Sequence, residues 1–404
     1  MSGWSERDLG RAAVLRAVVV GGPVSRTALA SRLGVSPATV TLLTRELLAE
    51  GLLETAGKEA GSSRGRPAEL LQVVPGAGVA LGVKVAASRV TGVLVDLRGD
   101  TLSTFESPFD AAVAEPVRAL AELLRPHVEA AGGRLIGVGL GVPGVVDTGS
   151  GDVTAATLRW ADVPVGAGLA ELLQLPVVVD NDVHTLAIAE HLYGRAQDAQ
   201  DDLIVTVGRG IGLAITVAGR LHRGARGGAG EFGHTRAVEN GPPCGCGRDG
   251  CLEAIASETG MLRRAVASGL LPPDGTIEQL RGLAAGDAAA RAIFEEAGRV
   301  LGRSVADLVN VLAPSLVLVA GEGTAAWGLL EAAFRSGFEA QVLDTHREVE
   351  IAVDDRWDDR AWARGASALL LGSVYAPEHA SGVGQGLEAR DRLTAMNGGG
   401  GDGR

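Results

Sequence analysis

Val177-Val178-Val179-Asp180-Asn181-Asp182-Val183 sets three β-branched apolar residues directly before an acidic and amide triplet, and a helical stretch over 183–193 follows at once. An all-apolar run of this kind reads as a strand buried on both faces, and a strand that hands over directly to a helix is the repeating unit of an α/β sheet. The triplet then projects from the carboxyl end of its strand, where open α/β sheets bind ligands. A carboxylate beside a carboxamide can hold vicinal hydroxyls, and an aspartate there can take a hydroxyl proton. The same residue types also cap helices, so both uses stay open.

Similar apolar runs occur at 79–85, 90–95, 135–140, 203–207 and 316–319, separated in many places by alanine- and leucine-rich helical segments. This predicts an α/β fold in which helices cover largely buried sheets. Of 404 residues, 46% are hydrophobic and 21% charged, which supplies ample core for more than one domain. The stretch from 77 to 375 exceeds one comfortable core, so two lobes with a cleft between them are expected. No charged, apolar, small-residue leader opens the chain, and no apolar segment approaches the roughly 20 residues that cross a bilayer. With three cysteines and no disulfide framework, a cytoplasmic location without membrane partners is expected.

All three cysteines lie in Cys244-Gly-Cys246-Gly-Arg-Asp-Gly-Cys251, and His234 stands ten positions upstream. Three soft thiolates and one imidazole on a glycine-rich loop suit a closed tetrahedral Zn2+ site, because the glycines let the backbone wrap three sulfurs around one ion. Unrelated thiols, or a transient disulfide with one spare, are the bland alternative. Glu231 and Glu253 flank the set, so hydroxyl-binding groups and metal donors are interleaved.

The first 76 residues hold nine Arg/Lys against seven Asp/Glu, net +2, whereas the remainder holds 28 against 42, net −14. A small nucleic-acid module on an acidic body has this asymmetry. An apolar series at Val14, Leu15, Val18 and Val19 ends at Gly21-Gly22-Pro23; Ser25 can cap a helix running to Leu33, and Gly34 breaks it. Ser36-Pro37 then opens a third helix with Val40, Leu43 and Leu47 on its buried stripe and Thr39, Thr41 and Arg45 facing away. Two short helices joined by a tight turn describe a helix-turn-helix with its reading helix second. Strands at 52–55 and 70–74 would close a wing carrying Arg64 and Arg66, slim and cationic enough for phosphates or a minor groove. Candidate contacts to DNA are therefore Ser36, Thr39, Thr41, Arg45, Arg64 and Arg66. Leu42 either meets a thymine methyl or packs.

Asp180-Asn181-Asp182, Gly208-Arg209-Gly210-Ile211-Gly212, Glu231-Phe-Gly-His234 and the stretch from Cys244 to Glu253, in that order, resemble the ROK family of sugar kinases and sugar-responsive repressors. The resemblance runs from about residue 77 to 372. The winged module in front resembles the repressor branch, which includes the N-acetylglucosamine and xylose repressors. The resemblance implies an actin-like, ribonuclease-H-like two-lobed ATPase fold behind the winged helix-turn-helix. It implies sugar contacts from Asn181, Asp182, Glu231, His234 and Glu253, and a zinc ion on His234, Cys244, Cys246 and Cys251. The implied organisation is a DNA-binding domain at 1–76, lobe 1 at 77–190 with a helix at 358–375, lobe 2 with the zinc site at 191–357, and a disordered tail at 376–404.

The family's kinases open lobe 1 with an Asp-x-Gly-Gly-Thr turn that supports magnesium and approaches ATP through backbone amides. The aligned segment here is Lys84-Val85-Ala86-Ala87-Ser88, and a second loop, Gly-Thr-Gly in kinases, is Gly208-Arg209-Gly210. Lys84 and Arg209 either pair with nearby acids or hold an anion without magnesium; in both cases transfer from Mg-ATP is expected to be disabled, with Asp182 left as a vestigial base. His184 departs from the asparagine common two places after that aspartate. Two functions follow for test: a sugar-responsive transcriptional regulator that binds operator DNA as a homodimer or homotetramer and senses a monosaccharide without phosphorylating it, or an active sugar kinase with a DNA-binding extension. Damage to two phosphate motifs, with the sugar and zinc set intact, favours the non-enzyme.

Overall fold

The computed structural model describes residues 4–58, 67–354, 357–376 and 383–398. The chain divides into two compact units, Met1–Asp198 with Arg360–Arg404, and Ala199–Asp359. The first unit begins with helices α1 (Glu6–Gly21), α2 (Arg26–Leu33) and α3 (Pro37–Ala49), interleaved with strands β1 (Val24–Ser25), β2 (Leu53–Lys58) and β3 (Glu69–Val73), which pair in the order β1-β3-β2. Hydroxyls set each helix start. Ser5 forms a reciprocal capping box with Asp8, Ser25 accepts from the amide of Ala28, and Ser36 accepts from that of Thr39 with Pro37 in the first turn. Gly34, at φ +65°, ends α2 in the left-handed region. Helix α3 buries Val40, Leu43 and Leu47 and packs on α1 and α2.

The first large sheet uses β4 (Val79–Val85), β5 (Arg89–Asp96), β6 (Thr101–Pro108), β7 (Leu135–Val142) and, after a small sheet of β8 (Val145–Val146), β9 (Val153–Ala155) and β10 (Trp160–Val163), β11 (Val177–Asn181). Helices α4 (Pro116–Ala131) and α5 (Val165–Leu173) are interspersed, and α6 (Asp182–Tyr193) follows β11. The order is β11-β7-β4-β5-β6; β4, β5 and β6 form an antiparallel meander, whereas β4, β7 and β11 run parallel. Their apolar side chains and those of α4 and α5 make one core.

The second unit repeats the plan. Its strands are β12 (Asp202–Val207), β13 (Ile211–Val217), β14 (Arg220–Leu221), β15 (Leu316–Ala320) and β16 (Glu350–Val353), in the order β14-β13-β12-β15-β16. Helices α7 (Leu252–Ala256), α8 (Glu258–Ala267), α9 (Ile277–Leu283), α10 (Ala288–Leu312) and α11 (Trp327–Gln341) complete it. Numbered within each unit, both five-stranded sheets read 3-2-1-4-5, with an antiparallel meander first and two parallel strands after.

The chain returns to the first unit through α12 (Arg360–Tyr375) and α13 (Val383–Gly398). The expectation of a disordered tail is corrected over 383–398. Ala389 and Leu393, four apart, are buried, and polar groups tie the helix down: Gln385 accepts from the Val177 amide, Arg392 donates to the Leu135 carbonyl, and Arg390 pairs with Asp8. A stripe that short amid charges and glycines gives no periodic signal. No helix among the described residues is long and apolar enough to cross a membrane.

Helix α12 lies flush on the sheet because glycines let its backbone in. A Cβ at Gly139 would fall 1.8 Å from the Ala366 carbonyl oxygen, and one at Gly82 would fall 2.1 Å from that of Ala363. Neither obstruction is a flexible side chain, so Gly139→Ala must separate helix from sheet and should cost about 1–3 kcal/mol, the range of overpacked cores. A calorimetric melt should show this as a fall of several degrees, and an unchanged transition would contradict the packing described.

Candidate functional site

The two parallel registers Lys84↔Gly141 and Asp180↔Gly141 place the ends of β4 and β11 on either side of a glycine in β7. With no side chain between them, the Lys84 ammonium forms an ion pair with Asp182 at the start of α6. It also lies 4.9 Å from the ring centre of Trp362 on α12. The carboxylate that sequence reading assigns as a vestigial base is therefore neutralised from within its own unit. Asn181 does cap: its Oδ1 accepts from the amides of Val183 and His184, and its Nδ2 donates to the Gly144 carbonyl. One amide hydrogen is left for a ligand, fewer than the sequence suggests. His184 is buried and turned inward, its Nδ1 2.9 Å from Asp180 Oδ1, which removes it from the ligand side.

In the second unit His234, Cys244, Cys246 and Cys251 converge, with all four donor atoms within 4.8 Å of one another. A tight turn brings the sulfurs in, since the Cys244 amide bonds to the Arg248 carbonyl and the Gly247 amide to that of Cys244. Gly247 and Gly250 have φ of +85° and +71°, and a Cβ at Gly250 would lie 1.8 Å from the Val238 carbonyl oxygen. Cys246 Sγ is 3.7 Å from Cys251 Sγ, and Cys244 Sγ is 3.6 Å from His234 Nδ1. A tetrahedral ion with bonds of about 2.3 Å to sulfur and 2.0 Å to nitrogen separates its donors by about 3.8 and 3.5 Å. The cluster can therefore hold a metal ion with little rearrangement. Hydrogen bonds from Arg248 pull the Cys246 thiol down to about 6, while burial pushes the Cys251 thiol up to about 12.

With Nδ1 on the sulfur side, His234 presents Nε2 outward, 3.9 Å from Glu231 Oε2. That separation is too long for a direct hydrogen bond, and one hydroxyl can contact both groups. Glu231 is exposed and Glu253 half-buried; Glu253 Oε2 accepts from the Ile211 amide at 3.3 Å, which ties it to the Gly208–Gly212 loop. The site residues therefore gather as two sets, Asn181 and Asp182 in the first unit, and Glu231, His234 and Glu253 with the cysteines in the second.

Two carboxylates beside that loop, Glu258 and Glu322, carry no sequence signal of their own. Burial first, and the Glu322 charge second, push Glu258 from 4.5 up to about 7. The folded chain thus holds this proton more tightly than the unfolded one. The resulting stability is full below the unfolded value and is lost as pH rises through the folded one. Melting temperatures taken from about pH 5 to about pH 8 should fall more for the wild type than for Glu258→Gln, and parallel curves would refute this.

On α3, Thr39, Thr41, Leu42 and Arg45 are exposed. Ser36 Oγ and Thr39 Oγ1 bond to each other at 2.8 Å, and Thr41 Oγ1 donates to the Pro37 carbonyl. Arg7 and Arg11 of α1 pair with Glu46 of α3 and with Glu50 at its C-terminal cap, and Arg26 pairs with Glu69. Much of the module's positive charge is thereby spent internally. Arg64 and Arg66 lie outside the described residues.

Residues 80–373 match the model of the ROK family. The chain belongs to the ROK family. It is 31% identical over 380 residues, covering 90% of this chain and 92% of the relative, to the DNA-binding transcriptional dual regulator NagC of Escherichia coli K12. The crystal structure of a ROK family transcriptional regulator, a homolog of the E. coli MLC protein, superposes with a TM-score of 0.77 at 25% identity and covers 97% of this chain and 98% of its own. The ROK family glucokinase of Streptomyces griseus, in complex with glucose and AMPPNP, gives 0.63 at 28% identity but covers only 72% of this chain against 99% of its own. The matching five-stranded sheets are thus the actin-like, kinase-type sheets of the ROK fold.

Proposed function

We propose that the chain is a sugar-responsive transcriptional repressor of carbohydrate genes. It reads operator DNA with a winged helix-turn-helix formed by α1–α3 and β1–β3. The observation that carries this is coverage: likeness to a ROK regulator takes in 97% of the chain, and so most of the first 76 residues, whereas likeness to the glucokinase covers 72%. A monosaccharide is the effector. The candidate contacts to its hydroxyls are Asn181, Asp182, Glu231, His234 and Glu253. The metal is zinc, supported by three thiolates, one imidazole and near-tetrahedral spacing. It is structural, since four protein donors leave no open position for a reactive water.

Phosphoryl transfer is disabled in this reading. The Lys84 ammonium pairs with Asp182, so a base there would have to give up an ion pair before taking a hydroxyl proton. A second reading, an active sugar kinase, rests on the glucokinase likeness and the survival of Asp182. Operators repeat half-sites about 34 Å apart, so a homodimer or homotetramer binds tightly only when its reading modules keep that spacing. Sugar shifts the population to a state that does not keep it, and the operator is released. Fluorescence anisotropy on promoter fragments, titrated with a panel of hexoses and pentoses, tests this. One sugar should weaken binding by about tenfold or more, a coupling of about 1.4 kcal/mol. No response to any sugar, or phosphorylation of one at an ordinary kinase rate with Mg-ATP, would reject it.

A further inference from the structure

Strands β12 and β15 run parallel with Thr206 opposite Ala320. Just past the carboxyl ends of both strands, where α/β sheets bind ligands, Gly208 lies against Glu322. The Glu322 side chain turns onto the loop: the Arg209 amide donates to its Oε1 at 3.2 Å. Its carboxyl group lies flat against Gly208, where a Cβ would come within 2.3 Å of the carboxyl carbon and of Oε1. Gly321, at φ +101°, makes this approach feasible, because a Cβ there would strike the Val207 carbonyl oxygen at 2.5 Å.

The rest of the loop is tied as tightly. The Gly208 carbonyl accepts from the Glu258 amide, and the Arg209 carbonyl from Thr259 Oγ1. The Gly208 amide donates to the Gly210 carbonyl, and the Ile211 amide to Glu253. Glycine-flanked amides at a strand end, with the exposed Arg209 guanidinium on the same loop, are donors of the kind that receive an oxyanion. Here a carboxylate of the chain already takes one of them, the Arg209 amide, and its negative charge is felt by its neighbour Glu258.

We propose that Glu322 is a built-in anion: its carboxylate takes the Arg209 amide and fills the space over Gly208, keeps the loop ordered with no phosphate ligand, and conceals an oxyanion site that removal of the carboxylate would open. The ligand class of the uncovered site is a phosphate-type oxyanion, received by the Arg209 amide and guanidinium. The Glu322 carboxylate both fills the space and repels a second anion. This rests on the second unit alone and needs neither sugar nor DNA. It supplies a reason, separate from Lys84, why a phosphate donor finds no seat here.

Titration calorimetry of the full chain with inorganic pyrophosphate tests it, using wild type, Glu322→Gly and Glu322→Gln. Thermal melts and metal content establish that each variant is folded. The wild type should bind pyrophosphate at least about tenfold more weakly than Glu322→Gly. Glu322→Gln, which keeps the shape and loses the charge, should also bind more tightly than wild type, and it decides the matter if the glycine variant does not fold. A side chain that merely stabilises its own turn would lower the melting temperature on replacement and open no anion site. Wild-type binding equal to that of the variants, or no pyrophosphate binding by a folded variant, would overturn the proposal. A protein that answers to no sugar would overturn the sensor reading and leave these heats unchanged.

Discussion

Cys246→Ser is expected to empty the metal site and weaken the response to sugar in the same protein. Serine is smaller and Cys246 is exposed, so the substitution leaves no cavity in a core. What it removes is one of three soft donors, and a neutral hydroxyl is a poor replacement for thiolate. Binding free energy in structural zinc sites is also folding free energy, so the turn from Cys244 to Cys251 should loosen and release His234. Once its Nδ1 is free, the imidazole no longer holds Nε2 opposite Glu231, and the chain from Cys251 to Glu253 loses its anchor. Metal content by emission spectrometry should fall from one per chain to near zero, and the sugar concentration that releases the operator should rise by about tenfold or more, roughly the lower range reported when outer partners of a metal site are mutated. Chelation of the wild type should reproduce both effects. Operator affinity without sugar should be unchanged, because α3 belongs to the other unit. A variant without metal that responds normally would separate the two sites and defeat the coupling.

The same contrast shows what a sequence can and cannot yield. The metal cluster is legible because its donors lie within 18 residues of one another and loop closure over so short a span leaves few arrangements. The buried strands are legible because β-branched runs bounded by polar residues have few other uses, and all six anticipated runs lie within β4, β5, β7, β11, β12 and β15. Strand β6 is different. Thr101–Pro108 is mostly exposed, Leu102 included, and only Phe105 packs towards the core, so the ladder to β5 holds it and no alternating hydrophobic pattern announces it. Strand β1 is two residues long and exists only because β3 pairs with it. Helix α13 depends on contacts with residues more than 200 positions away, Val177 and Leu135 among them.

Pairings across the chain are the least legible of all. Lys84 is one of two lysines in the sequence, and its choice of Asp182, 98 residues on, follows from strand register and from the absence of a side chain at Gly141. Glu322 meets the Arg209 amide across 113 residues for a similar reason, since β12 and β15 are adjacent and parallel. In both cases residue type alone left several partners open, and sheet topology selected one. The Asp-Asn-Asp triplet shows the reverse limit: the capping use, open from sequence, is realised by Asn181 together with whatever it does for a ligand.

Arg45→Ala should weaken operator binding by about tenfold to a hundredfold, the range of one strong base or phosphate contact, with the fold and the sugar affinity unchanged. Arg7, Arg11 and Arg26 are engaged with Glu46, Glu50 and Glu69, so the exposed guanidinium of Arg45 is the cation that α3 itself offers to DNA. Ser36, Thr39 and Thr41 already use their hydroxyl hydrogens or lone pairs in the first turn, and each should contribute less than the arginine. If Arg45 contacts a phosphate, the loss will be similar on every sequence and the salt slope will shrink by about one. If it reads a guanine edge, the loss will be confined to the cognate site. Leu42 separates two further possibilities. At 46% exposure it is not held in the core, so Leu42→Ala should leave the melt unchanged and cost operator affinity only where the site presents a thymine methyl. Equal affinities for wild type and Arg45→Ala on a promoter fragment, across a range of salt, would show that α3 does not face the double helix.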